Sequence, residues 1–228
     1  MPDKSHDLVD AIARIPDGAS VMVGGFGVPG TPFYLLEELV RQGPKDLTII
    51  KNDANENGMG VDWLLQSGQV AKLITSHIGL NSNAVAKLNA GEIEVEFVPQ
   101  GILAERIRVA GAGLMGFISD IGADTILAKG KQVVSVGGTQ GVIEPALKAD
   151  FALVHAAQAD TFGNLRFAAA ARNFNPLICM AARRTIAEAE IVLPLGEIAP
   201  DDVHTPGTFV DDVVALPEIS EVYGVVER

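Results

Sequence analysis

The length, composition and charge of the chain exclude several classes of protein. Its 228 residues are 48% hydrophobic and only 20% charged, which is typical of a globular protein with an aliphatic core and not of a disordered chain. The formal net charge of -12 argues against binding to nucleic acid or to an anionic membrane, because both demand a cationic surface. We therefore expect neither partner, and any anionic ligand must be held by local groups.

The N-terminal stretch does not have the pattern of a targeting signal. Residues 1–18 carry charges of both signs, with Leu8, Ile12 and Ile15 at helical spacing, and they lack the continuous apolar core of a signal peptide. No later stretch reaches the 18 or so apolar residues that a membrane-spanning helix requires. The single cysteine, Cys179, has no partner for an internal disulfide. These observations predict a cytoplasmic protein.

Apolar runs alternate with helical stretches in the first half of the chain. A helix is predicted at residues 32–43, where Thr31 serves as the cap, Pro32 occupies the first turn and Gly43 ends the helix. A second helical run begins after Asn81, in a stretch of alternating small and apolar residues. Strands are predicted at residues 19–25, 47–53, 70–79 and 92–99. This alternation indicates a parallel sheet covered by helices on both faces.

The second half of the chain continues the pattern with one interruption. Residues 100–117 are predicted to be helical and then glycine-rich, and residues 131–138 and 141–147 form an antiparallel excursion. A buried strand follows at residues 150–160, and a helix followed by a strand covers residues 175–196. No shift in composition or internal repeat marks a boundary, so we expect a single domain over residues 1–228. The predicted fold class is α/β, a single open, mostly parallel sheet with helices on both faces and a small antiparallel excursion.

A glycine-rich loop follows the first predicted strand and allows more than one interpretation. Its glycines match the dinucleotide fingerprint G-x-G-x-x-G at Gly25, Gly27 and Gly30. In that fingerprint the helix begins near the second glycine, whereas Thr31 and Pro32 start this helix only after the third. A nicotinamide-dependent oxidoreductase of the Rossmann type therefore remains an alternative.

Two other interpretations of the same loop need no nicotinamide. Backbone N–H groups in such a loop, followed by a helix N-terminus, suit a phosphate or a thioester-bearing pantetheine arm without requiring lysines. A plain turn between a strand and a helix would have the same composition. Asp53 ends the next strand, at about the distance of the acidic residue that binds ribose in dinucleotide folds, so it does not decide between the alternatives.

Several longer motifs occur in one order over nearly the whole chain. They are DGASVMVGGFGVPGTP, DLTIIKNDA, ITSHIG, GEIEVEFVPQGILAERIRVAGAG, ADFALVHAAQADTFGNL, ARNFNPLICMAA and HTPGTFVDDVV. From about residue 17 to residue 215 the chain resembles the A (alpha) subunit of the family I coenzyme A transferases of the short-chain 3-oxoacid and acetate/acetoacetate type. The resemblance implies a subunit of an enzyme that moves coenzyme A from an acyl-CoA to a carboxylic acid through a glutamyl-CoA thioester.

The resemblance also implies that the reaction needs a second chain. In the family the nucleophilic glutamate lies in the B (beta) subunit, in a short S-E-N-G-like motif, so we expect no catalytic nucleophile in this chain. We expect an α2β2 assembly with that B subunit, coenzyme A thioester as a substrate, no permanently bound cofactor and no metal. The run from Asn55 to Gly58 imitates the partner's motif, but its order along the chain matches a polar loop of the A subunit. Glu56 is therefore predicted to be a solvated loop charge.

Candidate binding residues follow from the same motifs. Gln100 follows a predicted strand and opens a helix, where α/β folds bind ligands, and its amide would donate to a carboxylate or thioester oxygen. Asn52 and Asp53 end their strand and would provide further polar contacts to substrate, although all three are also common turn residues. The stretch that the resemblance associates with coenzyme A consists of Gly24, Gly25, Phe26, Gly27, Val28, Pro29 and Gly30.

A few other residues are weaker candidates. His77 ends a predicted strand near the proposed site, and residues 172–176 form a polar turn that we expect near the site or at an interface. Residues 119–125 depart from the form typical of close relatives, so the acyl group is not predicted. A non-catalytic domain that binds coenzyme A or a sugar phosphate is kept as a further alternative.

Overall fold

The computed structural model describes residues 2–224 of the chain. The helices are α1 (Leu8–Ile12), α2 (Phe33–Gln42), α3 (Val61–Gln66), α4 (Ser82–Ala90), α5 (Gln100–Gly111) and α6 (Asn175–Ala181). The strands are β1 (Ser20–Val23), β2 (Leu47–Ile50), β3 (Val70–Thr75), β4 (Glu94–Phe97), β5 (Gly116–Ser119), β6 (Val133–Val136), β7 (Thr139–Pro145), β8 (Ala149–Asp160), β9 (Leu165–Arg166), β10 (Ala182–Leu193) and β11 (Asp212–Ala215). Short 3-10 turns occur at Ile126–Ala128, Ala169–Arg172, Pro200–Asp202, Gly207–Phe209 and Glu221–Tyr223.

The main sheet has the order β11-β10-β8-β1-β2-β3-β4, and every pair along this path is parallel. The short strand β9 pairs antiparallel with β8. A separate antiparallel sheet has the order β5-β7-β6. The predicted α/β class, with a mostly parallel open sheet and a small antiparallel excursion, is therefore confirmed.

Helices cover both faces of the main sheet, as predicted. One apolar cluster joins the sheet to α1, α2, α3 and α4 through residues such as Leu36 and Leu64, and the other joins it to α5 and α6 through Leu103 and Ile178. In β1, Val21 and Val23 belong to the first cluster, while alternate residue Met22 belongs to the second. The near-continuous apolar run of this strand follows from burial on both faces.

The order of the strands creates a topological switch point between β1 and β8. From β1 the chain adds β2, β3 and β4 on one side, whereas β10 and β11 are added beyond β8 on the other. Right-handed crossovers in opposite directions place helices on opposite faces, which leaves a crevice at the carboxyl ends of the two central strands. The glycine-rich loop follows β1 and therefore lies at this crevice.

The start of α2 differs from the prediction, although its end is confirmed. Thr31 does not cap the helix: its hydroxyl donates to the carbonyl of Gly27 at 2.6 Å, and the helix begins at Phe33 after Pro32. Gly43 ends the helix in the left-handed conformation, with φ at 76°, as its lack of a side chain permits. Within the described residues 2–224, the helices are too short or too polar to span a bilayer.

Candidate active site

A cavity of about 550 Å³ opens at the carboxyl edge of the sheet, beside the switch point. Its size is that of a small-molecule site, and its walls are mainly apolar. The residues that line it are Phe26, Gly27, Val28, Pro29, Gly30, Asp53, Ala54, Asn55, Glu56, Met59, His77, Ile78, Leu80, His155, Ala168, Ala169, Ala170, Ala171, Glu190, Tyr223 and Gly224. Of the predicted coenzyme A stretch, residues 26–30 line this cavity.

The glycine loop, residues 24–30, owes its shape to backbone conformations that only glycine adopts readily. Gly25, Gly27 and Gly30 have φ values of 96°, 60° and 80°. The N–H of Phe26 donates to the carbonyl of Pro29 at 3.1 Å, which closes the loop on itself. The loop is therefore held in one conformation before any ligand binds.

Two backbone donors of the glycine loop remain available to a ligand. The N–H groups of Val28 and Gly30 have no hydrogen-bond acceptor among residues 2–224, and both residues line the cavity. By contrast, the N–H of Gly27 is already used, since it donates to Asp53 Oδ2 at 2.9 Å. The Gly27 N–H is therefore not among the backbone amides that could bind a ligand.

The polar turn at residues 172–176 supports the glycine loop from the opposite side, as expected for a segment near the site. Asn173 Nδ2 donates to the carbonyl of Pro29 at 2.9 Å. Asn175 Nδ2 donates to the carbonyls of Gly30 at 3.1 Å and Ala171 at 2.8 Å. These side chains fix the loop against the start of α6.

Gly30→Ala is expected to lower the free energy of unfolding by about 3 kcal/mol, the sum of a left-handed backbone and an overpacked side chain. A Cβ at Gly30 would lie 2.5 Å from the Ala171 carbonyl oxygen and 2.6 Å from Asn175 Nδ2. Gly27→Ala is the matched control, because φ is also positive there but nothing lies within 4 Å of a Cβ. Chemical denaturation of both variants checks this, and losses of equal size would contradict the packing argument.

Asp53 connects the glycine loop to the end of β2. Its carboxylate is buried and accepts hydrogen bonds from the N–H groups of Gly27 and Asn55, each at 2.9 Å, and from Asn52 Nδ2 at 3.0 Å. Lys51 Nζ forms an ion pair with Asp53 Oδ1 at 3.2 Å. Burial alone would raise the pKa of Asp53, but the charge of Lys51 and these hydrogen bonds outweigh it and lower the pKa.

Lys51 is the cationic member of this buried pair. Its side chain is inaccessible to solvent, and burial lowers its pKa despite the opposing effect of Asp53. The ammonium group also lies 3.5 Å from the carbonyl oxygen of Gly27. A buried lysine of this kind depends on its carboxylate partner, because an uncompensated charge in the interior is costly.

The structure brings the three predicted substrate contacts together in one hydrogen-bonded chain. Gln100 Nε2 donates to Asn52 Oδ1 at 3.0 Å, and Asn52 donates in turn to Asp53. Gln100 is exposed at the start of α5, whereas Asn52 and Asp53 are buried. Of the three, Asp53 alone lines the cavity, and Gln100 is connected to it through Asn52.

Glu56 does not have the environment predicted for it. It is half-buried and lines the cavity, whereas a solvated loop charge was expected. The preceding Asn55 explains this position: it has a φ of 55°, and its side chain donates to the Gly27 carbonyl at 2.9 Å, which turns the loop toward the cavity. His77 lines the same cavity, as its place at the end of β3 suggested, and its Nδ1 lies 2.9 Å from the Ser76 hydroxyl.

Sequence reasoning missed a buried polar cluster beneath the cavity. His155 in β8 contacts two carboxylates of β10, with Nδ1 2.8 Å from Glu188 Oε1 and Nε2 3.1 Å from Glu190 Oε1. Glu188 is completely buried and also accepts from the N–H of Leu35 at 2.9 Å and from the hydroxyl of Tyr223 at 2.7 Å. The available signal was the pair of glutamates two residues apart in the otherwise apolar second half of β10, residues 186–193, because a buried charge requires a partner.

The stability contributed by His155 is expected to depend on pH. Burial lowers the pKa of His155, but the hydrogen bonds and charges of Glu188 and Glu190 outweigh burial and raise the pKa. This contribution is therefore complete below the unfolded pKa of about 6.5 and is lost as the pH rises through the folded pKa. The stability advantage of wild type over His155→Gln should decrease between pH 6 and pH 9, measured by chemical denaturation.

His204 provides a control of opposite sign. Its pKa is lowered, first by burial and then by the charges of Arg172 and Arg166. Wild type should therefore gain stability relative to His204→Gln as the pH rises through the lowered folded pKa toward 6.5. If the stability of wild type relative to His155→Gln and relative to His204→Gln changed with pH in the same direction, the environments assigned to the two histidines would be wrong.

Two arginines of α5 form ion pairs, and the single cysteine is buried. Arg106 pairs with Glu96 at 3.0 Å, while Arg108 pairs with Glu105 at 2.7 Å on a different side of α5. Cys179 is buried, and burial raises the pKa of its thiol, so it behaves as a small apolar residue. Across residues 2–224 there is no cluster of three or more histidine, cysteine or acidic side chains arranged to hold a metal ion.

The crevice, the preformed glycine loop and the apolar cavity form the arrangement in which open α/β sheets bind small ligands, at a topological switch point. The sequence family described as coenzyme A transferase matches residues 6–216. The chain is 48% identical to the probable coenzyme A transferase subunit alpha of Bacillus subtilis (strain 168), over 92% of this chain and 93% of that one. It is 42% identical to the acetate CoA-transferase subunit alpha of Escherichia coli (strain K12), over 96% and 99%. The chain belongs to the coenzyme A transferase family, which confirms the resemblance inferred from its motifs.

A solved structure supports the assignment of the fold. The acyl-CoA transferase of Escherichia coli O157:H7, in a thioester complex with CoA, superposes with a TM-score of 0.87 over 97% of this chain. The chain spans 49% of the length of that enzyme. At 23% identity this likeness shows the fold alone.

Proposed function

We propose that the chain is the A subunit of a heteromeric CoA transferase that moves coenzyme A from an acyl-CoA to a short-chain or 3-oxo carboxylic acid. The observation that carries the proposal is the glycine loop of a chain of this family: Val28 and Gly30 line an apolar cavity, and their N–H groups have no acceptor among residues 2–224. Two relatives named as alpha subunits, one of them of an acetate CoA-transferase, support the same role.

The proposed reaction divides its parts between two chains. A glutamate of the B subunit attacks the acyl carbonyl, forming an acyl-glutamyl anhydride and releasing coenzyme A as a thiolate. The thiolate then attacks the glutamyl carbonyl, which forms glutamyl-CoA and releases the first acid. The second acid reverses both steps and leaves as its CoA thioester. Because one thioester is exchanged for another, the cycle needs neither an energy source nor a metal.

This chain would bind the thioester and stabilise the oxyanion of each addition step. Val28 and Gly30 supply backbone donors, and we assign Gln100 as a side-chain donor, since Asn52 orients its amide. Preorganised donors of this kind stabilise developing charge more than water does, because they do not reorganise during the reaction. An enclosed site shared with a partner also protects the anhydride from hydrolysis.

The geometry supports the two alternatives less well. In a dinucleotide fingerprint the helix begins near the second glycine, but α2 begins at Phe33, three residues after the last glycine of the pattern. Asp53, the candidate for binding ribose, is committed to Gly27, Asn55, Asn52 and Lys51. The other alternative, a non-catalytic domain that binds coenzyme A or a sugar phosphate, would require no partner chain. We further propose an α2β2 assembly and a cytoplasmic location for the transferase.

Co-expression with the glutamate-bearing B subunit tests the proposal. The chain alone should be inactive in exchange between acyl-CoA and carboxylate, and the assembled complex should be active. A B subunit with its nucleophilic glutamate changed to alanine is the control and should form the same complex without exchange. Full exchange by the isolated chain, or quenching of nicotinamide fluorescence by it, would overturn the proposal.

A further inference from the structure

We propose that Tyr223 is a specificity-determining residue whose ring closes the far end of the acyl pocket and limits the length of the acyl chain. The inference deepens the proposed function and rests on it. Tyr223 lines the cavity of about 550 Å³, and it also lines a second cavity of about 140 Å³. The two cavities share this side chain, so we expect its removal to join them.

The second cavity lies between the start of α2 and the segment that follows β11. Phe33, Tyr34 and Glu37 of α2 form one side of it, and residues from Leu216 to Ser220 form the other. The segment after β11 thus crosses the N-terminus of α2 before Tyr223 reaches the main cavity. Removal of the ring would extend the main cavity along this path.

Tyr223 is fixed in place at both ends of its side chain. Its ring packs edge-to-face on Phe33, with centroids 5.2 Å apart at 87°, and lies 4.9 Å from the His155 ring at 34°. Its hydroxyl donates to Glu188 Oε1 at 2.7 Å and accepts from the N–H of Tyr34 at 2.9 Å. A ring with these contacts forms a rigid wall, since a change of χ1 would break both hydrogen bonds, one of which reaches the buried Glu188.

The charges of the main cavity indicate which end of an acyl-CoA enters it. Asp53, Glu56 and Glu190 line the cavity, and the cationic groups beside two of them, Lys51 and His155, are already engaged by carboxylates rather than available to the phosphates of the coenzyme A nucleotide. Between them the walls are apolar, with Met59 and Leu80 among the side chains that would contact an alkyl chain. The acyl group therefore enters, with its carbonyl at the glycine loop, while the nucleotide stays outside.

The test compares Tyr223→Ala with Tyr223→Phe in the complex with the B subunit. Initial rates are measured with acetyl-CoA, butyryl-CoA and hexanoyl-CoA as donors. In Tyr223→Ala the ratio of kcat/KM for hexanoyl-CoA to that for butyryl-CoA should rise roughly tenfold, because two further methylene groups become buried. Tyr223→Phe keeps the ring and should keep the wild-type ratio.

The outcomes separate this inference from the proposed function. An unchanged chain-length ratio in an active Tyr223→Ala complex overturns the inference while leaving the transferase intact. If no complex exchanges acyl groups, the proposed function fails. The inference about Tyr223 is then still tested by calorimetry, as the ratio of the affinity for hexanoyl-CoA to that for butyryl-CoA in wild type and in Tyr223→Ala. Tyr223→Leu, which keeps an apolar side chain, replaces the alanine variant if thermal melting shows that the latter does not fold.

Discussion

Replacing Asp53 by asparagine should lower the free energy of unfolding by about 3–5 kcal/mol, the usual cost of removing one member of a buried ion pair. The loss arises because Lys51 Nζ lies in the interior with Asp53 Oδ1 at 3.2 Å and would keep no compensating charge. The glycine loop should loosen as well, since the N–H of Gly27 would face a weaker acceptor. Chemical denaturation of the purified chain at neutral pH measures the change.

Asp62→Asn is the matched control for this prediction. Asp62 is equally buried, and it accepts hydrogen bonds from Gly58, Gln66 and Asn83 without forming a salt bridge among the described residues. Replacing Asp62 by asparagine should lower the free energy of unfolding by on the order of 1 kcal/mol, the usual effect of a weakened hydrogen bond. The double variant Lys51→Met/Asp53→Asn should recover much of the loss, and equal losses in all three proteins would show that the buried lysine is not the cause.

The pH dependence of Asp53 has a definite sign. Its folded pKa is lowered relative to the unfolded value of about 3.9. Its contribution is therefore fully present above that value and is lost as the pH falls through the folded pKa. The difference in stability between wild type and Asp53→Asn should remain constant from pH 5 to pH 7 and shrink in more acidic solution.

The regular elements were predictable because local patterns decide them. Burial on both faces of β1 produces a continuous apolar run, and the ends of β2 and β3 likewise place adjacent residues in opposite clusters, Ile49 and Ile50 in β2 and Leu73 and Ile74 in β3. Gly43 ends α2 as its backbone freedom predicts. The position of the glycine loop followed from the same reasoning, because the loop follows a parallel strand at the carboxyl edge.

The contacts that tertiary structure imposes could not be predicted in the same way. Thr31 satisfies the local rule for a helix cap, but Tyr223 and Glu188 accept the hydrogen bonds from the N–H groups of Tyr34 and Leu35 at the start of α2. These partners are 189 and 153 residues away along the chain, so no local window contains them. The cluster around His155 was missed for the same reason.

The structure brings the three predicted substrate contacts together, but sequence position alone did not give their geometry. Asn52, Asp53 and Gln100 do form one hydrogen-bonded chain, yet sequence position alone did not reveal that Asp53 is turned toward the glycine loop. The part of this hydrogen-bonded chain that a ligand can reach is its exposed end. Gln100 is that end, and its amide retains one N–H and its oxygen after the contact with Asn52.

Gln100→Ala should reduce kcat of the assembled transferase about 100-fold, which is the usual effect of removing one well-placed oxyanion donor. The glutamine is exposed at the start of α5, so its loss should leave the melting temperature of the chain within about 2 °C of wild type. Exchange between acetyl-CoA and a short carboxylic acid measures kcat and KM separately. A donor that acts mainly in the transition state lowers kcat with little change in KM.

Gln66→Ala controls for the loss of any exposed glutamine amide. Gln66 also ends in a hydrogen bond to a buried polar side chain, Asp62, but it lies at the end of α3 and has no part in the hydrogen-bonded chain that links Gln100 through Asn52 to Asp53 in the cavity wall. Its replacement should leave kcat unchanged. If Gln100→Ala turned over as fast as Gln66→Ala, the hydrogen bond to Asn52 would be structural, and the backbone amides of Val28 and Gly30 would have to stabilise the oxyanion without it.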